Sequence, residues 1–346
     1  MSNLPPSGEI PRGAIRFNTD SNKLELWDGS QWAEFQLSTP NLGQGSDTQP
    51  GVRGILMGGR TPTNSDEIDY INVASTGNST DFGNLLATAS RGFANGQTSS
   101  SVRGLAMGGQ STLDDIQSIT IASTGNATMH SGLLTVDKRL AAGASSSTRA
   151  ITAGGMNPTS QNVIDATDIA SLGNAIDFGN LDVAKYYPAG LSSPTRAIIA
   201  GGFPSPASVN TIEFITISTL GNAQDFGDLT QATIGMGAGG NPTRGIFYGG
   251  GLTAPSFPNT DVISYITIGT LGNAQDFGDA TQSVEYAAVA SSPTRLVAMG
   301  GIVDPAFVNT MAYVQIQTIG NAVDFGDLSG TARQRGAACS NGHGGL

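Results

Sequence analysis

The ten residues Thr219–Asp228, TLGNAQDFGD, recur letter for letter at Thr270–Asp279. Related stretches with the same Gly-Asn start begin at Gly77, Gly125, Gly173 and Gly320. Self-similarity at a regular period is the sequence signature of a repeat architecture. The decapeptide is therefore one part of a longer unit, and the rest of the chain defines that unit.

A second signature alternates with the first. It is an arginine followed by an apolar run and Gly-Gly, as in RGILMGG and RAIIAGG, and it recurs every 46 to 51 residues. The arginines of this signature are Arg53, Arg103, Arg149, Arg196, Arg244 and Arg295. Six copies of one unit thus cover the chain from about residue 50 to its last residues.

Each unit reads as four strands, which the third copy illustrates. A small-residue strand, Arg139–Ser147, is followed by the apolar strand from Arg149, a β-branched strand, Ile164–Ser171, and a last strand, Ala175–Leu181. Gly-Asn before the last strand predicts a tight hairpin turn, because glycine accepts a positive φ. Four strands in so few residues, six times over, predict an all-β, six-bladed β-propeller. A β-solenoid is the weaker alternative, since it needs only about half that length per rung.

The two ends of the array predict how the ring closes. The first copy begins at its second strand, and the last copy is followed by Arg333–Gly345, which matches the small-residue strands of the other units. We expect this C-terminal strand to complete the first blade, which removes open sheet edges.

The strand ending in Gly-Gly, preceded by a basic residue and a small-residue strand, resembles the kelch repeat of β-propellers. Kelch repeats continue with a Tyr and then a Trp, and here Leu-Gly-Asn-Ala and Asp-Phe-Gly stand instead. The resemblance implies a kelch-like propeller whose repeats diverge in their second half.

Residues 1–36 lie outside the repeats and predict a small β-meander, because apolar residues alternate with polar ones between turn signals. Residues 37–50 are rich in Gly, Pro, Ser and Thr and predict a linker to the propeller at 51–346. Three short strands bury little surface, so we expect the meander to pack on another protein.

The stretch Gly13–Trp32, GAIRFNTDSNKLELWDGSQW, resembles a short module of tailed-bacteriophage structural proteins, notably tail fibres and marine cyanophage virion proteins. The resemblance implies a non-enzymatic virion protein, assembled in the host cytoplasm and present in several copies per particle as a tail, fibre or decoration component. Residues 1–36 would contact other virion proteins, with Trp27, Trp32 and Phe35 as the docking side chains.

The repeated side chains predict structural roles. We expect the phenylalanines of Asp-Phe-Gly to pack between blades, and the aspartates to cap turns or pair with the repeat arginines. These residues are Phe82, Phe178, Phe226, Phe277 and Phe325, with Asp81, Asp177, Asp225, Asp276 and Asp324. In the second copy the triplet becomes Met129-His130-Ser131, which is interpreted as local repacking, with a specialised contact face as the alternative.

Composition excludes several function classes. A net charge of −11 argues against nucleic-acid binding, and no apolar run is long enough for membrane insertion. With only two histidines and one cysteine we predict no metal, cofactor or catalytic residue; the alternative is calcium bound at the Asp-Phe-Gly-Asp turns. Asp-Phe-Gly also occurs in protein kinases, but the lysine strand and the His-Arg-Asp loop of a kinase are lacking.

The predicted binding surfaces are the loops that differ most between units, residues 60–67, 202–210 and 251–259. They would contact neighbouring virion proteins or a host-surface glycan or receptor. The alternative function is a carbohydrate-binding or hydrolytic propeller that is not part of a virion.

Overall fold

The computed structural model describes residues 11–18, 23–27, 29–34, 53–86, 96–109, 114–253 and 258–346. Over these residues the chain is all-β, with six blades of antiparallel strands in a propeller ring, as the sequence predicts. The chain divides into two compact units, Met1–Ser46 and Asp47–Leu346. The predicted linker lies outside the described residues.

The first unit contains the meander, whose strands β1 (Ile15–Asn18), β2 (Lys23–Trp27) and β3 (Trp32–Glu34) pair in that order. Ile15 lies opposite Leu26, and Trp27 lies opposite Trp32. The sequence alternation therefore places the two tryptophans on the same face of the sheet.

The second unit contains the ring, and its strands follow one another in chain order. The first three blades use β4 (Arg53–Arg60), β5 (Asn64–Asn72), β6 (Thr80–Asn84), β7 (Arg103–Met107), β8 (Asp115–Thr120), β9 (Thr128–Leu133), β10 (Ala142–Ser145), β11 (Arg149–Ala153), β12 (Val163–Asp168) and β13 (Ile176–Asn180). The fourth and fifth use β14 (Ala189–Ser192), β15 (Arg196–Ala200), β16 (Thr211–Thr216), β17 (Gln224–Asp228), β18 (Thr233–Ile234), β19 (Gly237–Gly240), β20 (Arg244–Tyr248), β21 (Gly251–Leu252), β22 (Val262–Thr267) and β23 (Gln275–Asp279). The sixth uses β24 (Ala288–Ser291), β25 (Arg295–Val303), β26 (Ala306–Gln315) and β27 (Val323–Asp327), and β28 (Ala337–Ser340) is the last strand.

The C-terminal strand closes the ring. β28 pairs with β4, with Cys339 opposite Ile55, so the first blade has the order β28-β4-β5-β6. The sheet of the second blade contains the three strands β7, β8 and β9. Its innermost position is formed by an isolated antiparallel β-bridge between Ser99 and Gly104 of β7. β18 and β21 form a separate two-stranded ribbon beside the fifth blade.

The outermost strand of each regular blade carries a β-bulge at its Asp-Phe-Gly. In the fourth blade Asp225 lies opposite Glu213 and Gly227 lies opposite Ile212, so Phe226 is the extra residue. A bulge redirects the side chain of the unpaired residue. The bulge places the phenylalanine side chain in the cluster shared with the next blade, where it also contacts the aromatic ring of its own blade.

Gly-Asn does not form the predicted hairpin turn. The chain reverses earlier, where the Thr219 amide donates to the Thr216 carbonyl, and the Gly-Asn-Ala segment then runs along the outermost strand of the preceding blade. Gly221 donates to the Phe178 carbonyl at 2.9 Å, and Ala223 donates to the Asn180 carbonyl at 2.9 Å. The pairing satisfies edge groups that an isolated blade would leave open, which is why the segment lies on its neighbour.

The described residues of the ring form six hydrophobic clusters, and each joins two adjacent blades. The cluster between the sixth and first blades contains Met311 and Phe325 of the sixth blade together with Leu56 and Val73 of the first. Because every cluster is shared, no blade buries its apolar face alone.

Candidate functional site

The repeat arginines bind backbone carbonyls of the next blade. The Arg244 guanidinium donates to the Ile316 carbonyl at 2.9 Å, and Arg295 donates to Val73 and Ala74, which joins the last blade to the first. The other four bonds run from Arg53 to Ile121, Arg103 to Ile169, Arg149 to Ile217 and Arg196 to Ile268. Six equivalent bonds therefore encircle the ring.

In four blades the arginine also stacks on an aromatic ring of its own blade. Arg244 lies 4.5 Å from the centre of the Tyr265 ring, whose edge in turn contacts Phe277. The same arrangement joins Arg53, Tyr70 and Phe82; Arg196, Phe214 and Phe226; and Arg295, Tyr313 and Phe325. In these blades the arginine and the Asp-Phe-Gly phenylalanine are thus connected through the aromatic ring between them.

The five Asp-Phe-Gly phenylalanines are buried in the clusters between blades, while the five aspartates are exposed. The Asp177 carboxylate accepts the Gly179 amide at 3.1 Å, which is a local cap. Among the described residues no ion pair joins an Asp-Phe-Gly aspartate to a repeat arginine. The arginine–aspartate pairing considered from the sequence is replaced by arginine–carbonyl bonds.

The second blade differs by one inserted residue. Gly132, not Ser131, takes the place of the Asp-Phe-Gly glycine, because a Cβ on Gly132 would meet the Gly173 carbonyl oxygen of the next blade. His130 takes the place of the phenylalanine: it is fully buried, and its Nε2 lies 3.2 Å from the Asp168 carbonyl oxygen. Burial lowers the pKa of His130, so it sits in the interface as a neutral ring.

Among the described residues, three blades contain buried ion pairs that the sequence analysis did not single out. Lys138 pairs with Asp165 at 2.7 Å, Lys185 pairs with Glu213 at 2.5 Å, and Arg333 pairs with Asp69. At the equivalent positions the fifth blade has Thr233 and Ser264, and the sixth has Val284 and Ala312. Cation and acid are thus lost together, as expected when an unpaired buried charge is costly.

The ring axis has a hydrogen-bonded belt near one end, here called the serine ring. Each hydroxyl donates to the carbonyl of the preceding blade: Ser99 to Ser340, Ser145 to Ser99, Ser192 to Ser145, Ser291 to Gly240, and Ser340 to Ser291. Gly240 has no hydroxyl, so the Ser192 carbonyl lacks this donor. Gly344 lies beside that carbonyl.

The last residues of the chain fill the axis at the serine ring. His343 is buried, and its Nε2 lies 2.9 Å from the Ser99 carbonyl oxygen and 3.3 Å from Ser145 Oγ. Its Nδ1 accepts the Gly345 amide, which assigns the proton to Nε2. Burial lowers the pKa of His343 to about 4.

The other end of the axis is lined by the residues that precede the innermost strands, here called the axial mouth: Leu140, Tyr187, Gly235, Tyr286 and Arg335. All have φ between 56° and 60°. This conformation directs each amide at the preceding blade: Tyr187 donates to Leu140, Gly235 to Tyr187, Tyr286 to Gly235, and Arg335 to Tyr286. The left-handed backbone is therefore a requirement of the ring, even though it is unfavourable for side chains larger than glycine.

The side chains at the axial mouth converge. The Tyr187 and Tyr286 rings lie 4.9 Å apart, and the Arg335 guanidinium carbon lies 4.1 Å from the centre of Tyr286 and 5.0 Å from that of Tyr187. The aromatic row continues through Tyr186 to Phe203, which are both half-buried. The five residues of the axial mouth, with Ala141 and Gly336, line a cavity of about 20 Å³, room for one water molecule.

The ionisable groups at the mouth are shifted by burial. Desolvation raises the pKa of Glu285 to about 7, against the opposing effect of Arg335. Burial also raises the pKa of Tyr286 and of Tyr186, so both phenols stay protonated near neutral pH. No sequence pattern indicates this site, because the mouth position holds a different residue type in almost every blade.

In the meander, the predicted docking tryptophans pack on each other. Trp27 is buried and its ring lies 5.5 Å from that of Trp32, over which Arg16 stacks at 4.1 Å. On the opposite face Ile15 and Phe17 are 59% and 58% exposed. Phe35 lies outside the described residues. Among the described side chains of this unit, the exposed large apolar ones are therefore on β1 rather than at the tryptophans.

Of the predicted binding loops, residues 60–67 lie in the hairpin between β4 and β5, and residues 202–210 lie between β15 and β16. Part of the third loop, residues 254–257, is outside the described residues. In the described part of the chain, no group of three or more His, Cys, Asp or Glu is placed to hold a metal ion. That part likewise contains no helix with the length and apolar character needed to cross a membrane.

The chain matches no protein-family model and no curated protein.

Proposed function

We propose that the protein is a non-enzymatic structural component of a tailed-phage particle, in which a kelch-like propeller is attached through its N-terminal unit. The observation that carries the proposal is the segment Gly13–Trp32, whose sequence resembles phage tail-fibre modules and which forms a separate meander. Ile15 and Phe17 supply the apolar contact of the attachment, since exposed apolar patches mark interaction sites.

The propeller supports this proposal as a rigid display scaffold. The arginines, the Gly-Asn-Ala segments and the Asp-Phe-Gly phenylalanines are all engaged in contacts between blades, and those contacts run from the sixth blade back to the first. A closed ring holds its loops in fixed positions, which suits binding to neighbouring virion proteins or to a host surface.

The test is to purify particles and to measure the protein in them by mass spectrometry, with cryo-EM to locate it. The variant Ile15→Asp/Phe17→Asp should fold but be depleted from particles. Leu271→Asp is the matched control, because Leu271 is also 59% exposed but lies on the propeller. Absence of the wild-type protein from particles, or normal incorporation of the double variant, would contradict the proposal.

A second candidate is a carbohydrate-binding propeller outside a virion. The axial mouth favours it, because aromatic rings and an arginine converge there around a cavity.

A further inference from the structure

We propose that the axial mouth is a binding site for the carboxylate of an acidic saccharide, with Arg335 as the carboxylate ligand and the aromatic row as the platform for the sugar. The inference deepens the surface-binding role proposed above by naming its site and ligand class. Two independent observations carry it, the state of the Arg335 guanidinium and the shape of its surroundings.

Among the described residues no ion pair within 4 Å and no hydrogen bond engages the Arg335 guanidinium, although its charge acts on the nearby Glu285 carboxyl. It is held by stacking on Tyr286 and Tyr187, and its Nε is buried without a hydrogen-bond acceptor. By contrast, the buried Arg333, two residues earlier in the chain, is ion-paired with Glu67 and Asp69. Stacking leaves the planar N–H edge of a guanidinium available, and that edge matches a carboxylate in two parallel hydrogen bonds.

The cavity beside Arg335 limits what can enter. A free volume of about 20 Å³ holds about one water molecule, so one oxygen of a carboxylate can take that place but a sugar ring cannot. The body of the ligand would therefore lie outside, on the half-exposed Tyr186 and Phe203. A sugar acid has both parts: a carboxylate for the cavity, and a ring whose C–H groups can lie on the aromatic faces while its hydroxyls remain in water.

The mouth itself shows which substitutions the fold accepts. Gly235 and Leu140 occupy the same position as Arg335 with the same backbone conformation. Arg335→Gly should therefore fold, because it removes a left-handed strain of about 1 kcal/mol while losing the ring stacking. Loss of binding without loss of stability separates a ligand contact from a structural role.

The probe is D-glucuronate, added to the full chain and followed by ligand-observed NMR, with D-glucose and acetate as comparisons. Wild type should bind glucuronate more tightly than either, and Arg335→Gly should weaken that binding by at least about tenfold, the loss expected for a charged hydrogen bond. Tyr187→Leu should weaken it too. The control Tyr265→Leu, which breaks an equivalent arginine–tyrosine stack away from the axis, should not.

Four results would overturn the inference: no glucuronate binding by wild type, equal binding of glucose, equal binding of acetate, or unchanged binding by Arg335→Gly. The measurement uses the isolated chain, so it is independent of particle incorporation. If the protein is incorporated into particles but does not bind glucuronate, only the ligand site is refuted. If it binds glucuronate but is absent from particles, only the virion role is refuted.

Discussion

The Gly272 amide donates to the Phe226 carbonyl at 2.9 Å, and these two residues belong to the two identical decapeptides of the chain. The Asp228 amide donates back to Asn273 Oδ1 at 3.0 Å, and Ala274 donates to the Asp228 carbonyl at 2.7 Å. One copy of the sequence thus supplies Gly-Asn-Ala, and the other supplies Asp-Phe-Gly-Asp. The repeated stretch is a lock between neighbouring blades, and each copy takes part in two such locks.

The glycine of Asp-Phe-Gly should be intolerant of substitution. Gly278 has φ +144°, and a Cβ there would lie 2.7 Å from the Gly320 carbonyl group. Gly278→Ala should lower the free energy of unfolding by about 1–3 kcal/mol. Gly269→Ala is the matched control, because nothing lies within 4 Å of its Cβ position, and it should change stability by less than about 0.5 kcal/mol. Equal effects in chemical denaturation would refute the lock.

The six bonds from repeat arginines to carbonyls of the next blade should contribute measurably to stability. Arg244→Met removes the bond to the Ile316 carbonyl and the stack on Tyr265, and should cost about 1.5–3 kcal/mol. Arg60→Met serves as the control, because the half-buried Arg60 side chain makes no hydrogen bond to any described residue. Urea titrations measure the free energy of unfolding of both variants. An unchanged free energy of unfolding for Arg244→Met would show that the arginine–carbonyl bonds are dispensable.

The buried ion pairs should be replaceable only as pairs. Lys185→Val alone leaves Glu213 buried without its cation and should cost about 3–5 kcal/mol. The double variant Lys185→Val/Glu213→Ala reproduces the sixth blade and should recover most of that loss. A double-mutant cycle measures the coupling. Additive losses would mean that the two side chains act independently.

His343 should make the propeller sensitive to acid. Its pKa is lowered to about 4 in the folded chain from 6.5, so the unfolded state takes up the proton first as pH falls. The stability from the neutral, buried ring is therefore present above pH 6.5 and is lost as pH falls towards 4. His343→Gln should reduce the drop in unfolding temperature between pH 7 and pH 5, and an unchanged drop would contradict this assignment.

The sequence predicts the ring because its two signatures recur six times, and it predicts closure because Arg333–Gly345 matches an innermost strand. It does not predict the lock. Gly-Asn reads locally as a turn, and only the assembled ring shows that its partner is the preceding blade. The axial mouth was missed for a related reason. Leu140, Tyr187, Gly235 and Arg335 share a backbone conformation and a place on the axis, but no side-chain type that a pattern could reveal.

The central claim is that the locks form one closed circle, and amide hydrogen exchange at the seam tests it most directly. The Gly77 amide donates to the Phe325 carbonyl at 2.8 Å, which is the same bond that Gly272 makes to Phe226 inside the array. If the ring is closed, Gly77 and Gly272 should be protected to the same degree and exchange together only when the ring opens globally. Fast exchange at Gly77 with slow exchange at Gly272 would show that the first and last blades are not locked.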